Sequence, residues 1–216
     1  VDTQINPDPY WREMDRYYSN IVGKYGIQVQ NALKKLSKFD LKMICSTHGP
    51  VWTKMIPKVI SVYDRLSRYE GEEGLVIAYG SMYGNTEHMA ELVAESASMS
   101  GIRNIVLHNL SKSHDSYVIA DIYRYKGLII GAPTYNNNLY PRVQTLLEEI
   151  EGRLMKNRLL GYFGSFSWAG QSLKLISAFN ERLKFEVVGN PFEMKQGMLS
   201  SVEEQCMDLG RAMAYR

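Results

Sequence analysis

Three short segments combine hydroxyls, amides and aromatics in patterns that could do chemistry. The first is Gly80-Ser81-Met82-Tyr83-Gly84-Asn85-Thr86. Ser81 and Thr86 bring hydroxyls. The backbone N–H groups around Gly84 and Asn85 would wrap an anion, with the positive end of a helix behind them. No Lys or Arg lies in this segment. The Walker pattern ending in Gly-Lys-Ser or Gly-Lys-Thr is absent, and so is Gly-x-Gly-x-x-Gly. Neutral donors suit a monophosphate better than a magnesium-bound triphosphate. Asn85 or Thr86 would equally serve as a plain helix cap.

The second segment is Ala132-Pro133-Thr134-Tyr135-Asn136-Asn137-Asn138-Leu139-Tyr140-Pro141. Amides and backbone groups here could bond the edge of a flat heterocycle while Tyr135 packs near its face. Asn and Pro are also ordinary turn residues. The third is Gly164-Ser165-Phe166-Ser167-Trp168-Ala169-Gly170. Trp168 stands among small residues where an aromatic would otherwise face water. A stacking partner for a planar ring explains it; an interface or core Trp is the bland alternative.

These segments need a scaffold that brings them together, and the pattern from Leu75 onward supplies one. Strands are expected at Leu75–Tyr79, Ile102–His108, Gly127–Gly131, Leu159–Gly164 and Phe185–Val188. Helices are expected over 86–98, around Val143–Ile150, around Leu173–Leu183 and around Val202–Met213. Alternating strands and helices make a parallel sheet covered on both faces. Such sheets bind ligands beyond the carboxyl ends of their strands. The three segments fall after expected strands one, three and four.

Residues 1–70 read differently. Val29, Ala32, Leu33 and Leu36 make one helical stripe, and Trp52, Met55, Ile56, Val59, Ile60, Tyr63 and Leu66 make another, with Pro57 as a helix-start residue. Leu41–Ser46 reads as a short strand, followed by a loop at Thr47-His48-Gly49-Pro50. One strand and a few helices have no complete core, so this region needs a neighbour. Glu70-Gly71-Glu72-Glu73-Gly74 has the composition of a linker.

Composition bounds the rest. The 216 residues carry 25 Lys plus Arg against 23 Asp plus Glu, a net charge of +2 that gives no bulk argument for nucleic acid or a membrane surface. A 45% hydrophobic share with 22% charged residues is globular. Cys45 and Cys206 cannot build a disulfide framework, which fits a reducing, cytoplasmic setting. No apolar run approaches the ~20 residues that span a bilayer, and no secretory leader is visible.

Tyr79–Glu87 resembles the phosphate loop of flavodoxins. Gly131–Asn137 and Ser165–Gly170 look like their two isoalloxazine loops. More narrowly, Ala132-Pro133-Thr134 with Asn136-Asn137 and Leu139-Tyr140-Pro141 is similar to the flavodoxin-like half of flavodiiron proteins. Cys45-Ser46-Thr47-His48-Gly49-Pro50-Val51-Trp52 is similar to the end of their metallo-β-lactamase-like domain, where a His-Gly-Pro loop supplies the last iron ligand. The resemblance implies a carboxyl-terminal part of such a protein. Residues 1–70 would be a mostly helical remnant of the metallo-β-lactamase-like domain. Residues 71–216 would be an α/β, flavodoxin-like, doubly wound five-stranded domain.

The resemblance also implies FMN, held without a covalent bond. Ser81, Met82, Tyr83, Gly84, Asn85 and Thr86 would hold its phosphate. Pro133, Thr134, Tyr135, Asn136 and Asn137 would line one side of the ring, and Ser167, Trp168, Ala169 and Gly170 the other. The His-x-Glu-x-Asp-His cluster of the family is missing, and His88, His108 and His114 match no ligand motif. His48 is therefore a candidate ligand of an incomplete site, and diiron is not expected in this chain. In the intact family the flavin feeds a diiron centre that reduces oxygen to water or nitric oxide to nitrous oxide. A rubredoxin or a reductase supplies the electrons, and the subunits pair head to tail. No catalytic residue is expected in this chain alone. The alternatives are a stand-alone NAD(P)H-dependent quinone or flavin reductase, and a non-redox binding domain with vestigial loops.

Overall fold

In the computed structural model, which describes residues 1–215, the chain opens with helix α1 (Asp8–Tyr17). A π-helical turn (Tyr18–Val22) and a 3-10 turn (Gly23–Tyr25) lead into α2 (Gly26–Leu36). The expected strand at 41–46 shrinks to β1 (Ile44–Cys45), paired antiparallel with β2 (Val51–Trp52). Only these residues find ladder partners, because the chain turns back through the loop that carries His48. Trp52 therefore sits on a strand, and helix α3 (Ile56–Ser67) starts after it, with Pro57 in its first turn.

The α3 stripe is buried at Ile56, Val59 and Leu66, and Trp52 stacks on Trp11 with ring centroids 4.7 Å apart. The α2 stripe is not covered. Val29 and Leu33 are half-buried, and Ala32 and Leu36 are exposed. Helix α3 has no cap from its own flank. Asp2 provides one from far along the chain. Its carboxylate accepts the N–H groups of Thr53, Lys54 and Met55, each at 2.9 Å, and the Thr53 hydroxyl at 2.6 Å. Burial alone would raise this carboxyl; the hydrogen bonds from Thr53, Met55 and Lys54 prevail and bring it down to about 2.

Most of the expected linker Glu70–Gly74 is strand instead: β3 (Glu72–Tyr79) begins inside it, followed by α4 (Asn85–Met99), β4 (Ile105–Asn109), α5 (Asp115–Arg124) and β5 (Tyr125–Tyr135). Then follow β6 (Asn138–Leu139), α6 (Pro141–Gly152), β7 (Leu159–Phe166) and α7 (Ser172–Leu183). The chain closes with β8 (Glu186–Val187), β9 (Phe192–Lys195) and α8 (Ser200–Ala214). The parallel sheet runs β4-β3-β5-β7-β8, with β9 farther along the same edge of β7. Alternation along β3 serves two cores. Leu75, Ile77 and Tyr79 join residues of α4 and α8; Val76 and Ala78 join residues of α5, α6 and α7.

Within the sheet domain, β4 begins at Ile105 rather than Ile102, β6 was not expected, and two further elements depart more strongly from the sequence expectation. Helix α5 was not expected, because it passes into β5 with no Gly or Pro between them, yet Val118, Ile119 and Ile122 are fully buried. The fifth strand is broken in two. Gly189 takes φ +72° just before Asn190-Pro191, and the chain re-enters the sheet only at Phe192.

Residues 1–70 pack on the α5 side of this sheet, where Tyr18, Leu66 and Tyr69 share a core with Tyr123 and Tyr125. Arg158 ties this junction. It is 2% exposed, and its guanidinium donates to the carbonyls of Tyr69, Ile122, Tyr123, Lys156 and Asn157 at 2.6–3.1 Å. Burial lowers its pKa to about 10, so it stays charged at neutral pH.

Arg158→Met should lower the unfolding free energy by about 3 kcal/mol, since it strands buried carbonyls. Urea denaturation with an unchanged m-value checks this, and a loss under about 1 kcal/mol would mean that water replaces the guanidinium. Asp2 gives a pH signature. Its folded pKa lies below the unfolded 3.8, so its stabilisation is complete above that value and is lost as the pH falls toward about 2. Trp fluorescence in acid titration should show Asp2→Asn losing that part of the acid sensitivity; identical profiles would refute the assignment.

Candidate functional site

The three segments singled out above follow β3, β5 and β7, which are adjacent in the sheet. They lie at the carboxyl ends of the strands, where the connection direction reverses between β3 and β5. Hydrogen bonds latch them together. Thr86 Oγ1 on α4 lies 2.9 Å from Ser165 Oγ at the end of β7. Thr134 Oγ1 accepts the Gln171 N–H at 3.0 Å and lies 3.0 Å from Ser172 Oγ.

The first loop turns through Gly84 at φ +87°, a conformation that excludes most side chains, and open space lies where a Cβ would point. Helix α4 then begins with no side-chain cap. Its first-turn N–H groups are therefore left for a ligand or solvent. Ser81 Oγ accepts the Gly84 N–H at 3.1 Å, which shapes the turn. Met82, Tyr83, Gly84 and Asn85 are exposed, while Thr86 is 2% exposed. The Thr86 hydroxyl is thus engaged within the protein and sets the loop's position. Beneath the loop, the Tyr79 hydroxyl donates to Glu87 at 2.7 Å and the Asn109 side chain at 3.3 Å. These bonds, Tyr79's foremost, hold the Glu87 carboxyl below its usual range.

The second loop is a β-hairpin. Thr134 pairs with Leu139 and Tyr135 with Asn138, leaving Asn136 and Asn137 as the two-residue turn. Their φ values of +49° and +57° are those that Asn tolerates best among residues with a side chain. Turn geometry therefore accounts for these two amides, whose side chains remain exposed. Pro133 is buried in the sheet and pairs in register with Ser165.

The third loop holds Ser167, Trp168 and Ala169 out in solvent, with Gly170 half-buried. Trp168 is 94% exposed and Tyr83 is 88% exposed. Two large rings are thus bared on loops pinned to one sheet edge: Trp168, expected to cover a flat ligand, and Tyr83, expected beside the phosphate. The uncapped α4 terminus matches its anionic end. The residues present thus fit FMN on both counts.

Glu193 on β9 was not anticipated. Its carboxylate accepts the Leu173 N–H at 3.3 Å in the first turn of α7 and lies against Gly164 and Gly170. A Glu amid the apolar residues of Phe192–Met194 was the only signal available in the sequence.

His48 lies elsewhere, in a cavity of about 800 Å³ walled by α1, α3 and the β1–β2 loop. Its ring sits 5.3 Å from that of Tyr17. Among the described residues no group of three or more His, Cys, Asp or Glu gathers to hold a metal. His48 by itself does not fit a diiron centre.

The flavodoxin family profile matches residues 77–210, and the chain belongs to that family. It is 29% identical over 218 residues to a nitric oxide reductase of Moorella thermoacetica, covering 100% of this chain and 54% of that protein. It superposes on the rubredoxin oxygen:oxidoreductase of Desulfovibrio gigas with a TM-score of 0.92 at 28% identity, covering 99% of this chain and 54% of the other. The flavodiiron protein of Giardia intestinalis gives a TM-score of 0.93 at 24% identity, covering 99% and 53%, and speaks to the fold alone. Within the flavodoxin family, then, the chain is the flavodoxin-like FMN module of the flavodiiron kind. It spans about half the length of the curated relatives it matches.

If Trp168 covers the flavin, Trp168→Ala should weaken FMN binding by the apo-protein roughly tenfold, about 1.4 kcal/mol. Thr86→Val should weaken it similarly by cutting the bond to Ser165. Fluorescence titration with FMN reads both, and unchanged affinity in the two variants would refute the loop assignments.

Proposed function

We propose that this chain carries electrons through FMN held at the carboxyl edge of its sheet. The observation that supports it best is the set of three latched loops with Trp168 and Tyr83 bared beside an uncapped helix terminus. Bound there, FMN supplies one- and two-electron redox chemistry that side chains lack. The chain's own residues bind and orient it. The N–H groups of Asn85, Thr86 and Glu87 would take the phosphate, helped by the helix dipole. Ser81 shapes that turn, with Met82 and Tyr83 beside it. The hairpin Pro133–Asn137 would flank one side of the ring and Ser167–Gly170 the other. Trp168 and Tyr83 would keep water from the ring.

Residues 1–70 form a second unit, the end of a metallo-β-lactamase-like fold, and residues 71–216 form the flavin domain. The apolar cavity beside His48 would meet the rest of that fold, and only there would His48 gain enough co-ligands to hold iron. The parent reaction is the reduction of oxygen or nitric oxide, as in the names of the relatives. A rubredoxin-like donor or a reductase would feed the flavin, and pairing would be head to tail. Among the described residues no helix is long and apolar enough to cross a membrane, which agrees with a cytoplasmic setting.

The visible spectrum of the purified chain, with flavin and metal analysis of the same sample, tests this reading. A yellow protein with about one FMN per chain and little iron is expected. A colourless protein that refuses added FMN would refute it, and steady NAD(P)H oxidation would favour a reductase instead.

A further inference from the structure

Glu193 sits where the third loop needs an anchor. Strand β9 pairs with β7 so that Glu193 stands beside Gly164. A methyl group on Gly170 would stand 2.3 Å from Glu193 Oε2, and one on Gly164 would stand 2.9 Å from Oε1. The carboxylate therefore threads a slot that exists only because both positions are glycine. From that slot it reaches the Leu173 N–H at 3.3 Å. Helix α7 has no side-chain cap from Gln171, so Glu193 caps it from a neighbouring strand. Glu193 thus meets both ends of the loop Ser165–Ser172, alongside the contacts of Thr86 with Ser165 and of Thr134 with Gln171 and Ser172.

The position has an electrostatic consequence. The amino end of α7 carries partial positive charge. Glu193 neutralises it and sets a full negative charge directly behind the turn that would face the ring. A ring that accumulates negative charge on reduction is disfavoured by such a neighbour. We infer that Glu193 is a positioning residue with two separable effects: its side chain fixes the turn Ser167–Gly170 for flavin binding, and its charge lowers the reduction potential of the bound flavin.

This rests on the FMN reading above, and the experiment separates the two. FMN affinity of the apo-protein and the midpoint potential of the bound flavin are measured for the wild type, Glu193→Gln and Glu193→Ala. Circular dichroism checks folding. Gln keeps the size and an acceptor for the Leu173 N–H; Ala keeps neither. Glu193→Ala should weaken FMN binding about tenfold. Glu193→Gln should bind oxidised FMN within about threefold of the wild type. It should favour the reduced form about tenfold more, a rise of roughly 30 mV for a two-electron couple. A wild type that binds no FMN sinks the FMN reading itself. If the wild type binds FMN but Glu193→Gln leaves the potential unchanged, the electrostatic assignment falls. It falls too if Gln loses flavin as completely as Ala. Unchanged affinity in Glu193→Ala overturns the positioning role. If Ala does not fold, Glu193→Gln decides alone through its potential.

Discussion

A parallel sheet buried on both faces has nowhere to put polar chemistry except at the ends of its strands. Here Leu75 to Tyr79, and Leu128 to Ile130, send side chains into two cores at once. The hydroxyls, amides and aromatics of the three loops therefore gather at the carboxyl edge. The loops there are long enough to wander, since an exposed loop has little burial to hold it. What restrains them is a small set of hydroxyl contacts. Thr86 meets Ser165, and Thr134 meets Gln171 and Ser172. Each links one loop to another, so the edge behaves as a single wall. Those latches free the site to expose Trp168 and Tyr83 without losing their positions.

The junction with residues 1–70 is built by other means. Tyrosines from both sides share one apolar core, and Arg158 crosses the junction to the Tyr69 carbonyl while it holds those of Ile122, Tyr123, Lys156 and Asn157 on its own side. Beside them Arg65 lies 3.5 Å from Asp15 and 3.3 Å from Glu72, and Arg124 bonds Glu72 at 2.9 Å. Burial pushes the Asp15 carboxyl up despite the arginines. These contacts join α1, α3, β3 and the end of α5. Other apolar side chains of residues 1–70 are bare by contrast, with Ile27 75% exposed and Phe39 67% exposed. The linker-like glycines near residue 71 thus join two tightly packed parts. Gly71 and Gly74 are small because Lys126 backbone and the Tyr125 ring press against them, which composition alone would have read as flexibility.

Periodicity in the sequence was enough to determine the doubly wound α/β class, the order of its main strands and the three loops beyond strands one, three and four. It works because burial on both faces demands apolar runs that polar loops must interrupt. The position of His48 in a loop was legible too, since Gly49 and Pro50 follow it directly. Tertiary structure alone decided the rest. That Thr86 meets Ser165 depends on how far α4 leans toward β7. That Asn136 and Asn137 form a two-residue turn depends on β6 pairing with β5. Glu193 reaches the third loop only because β9 re-enters the sheet after the break at Gly189. Contacts of this kind join residues tens of positions apart, and local pattern carries no record of which of them will meet.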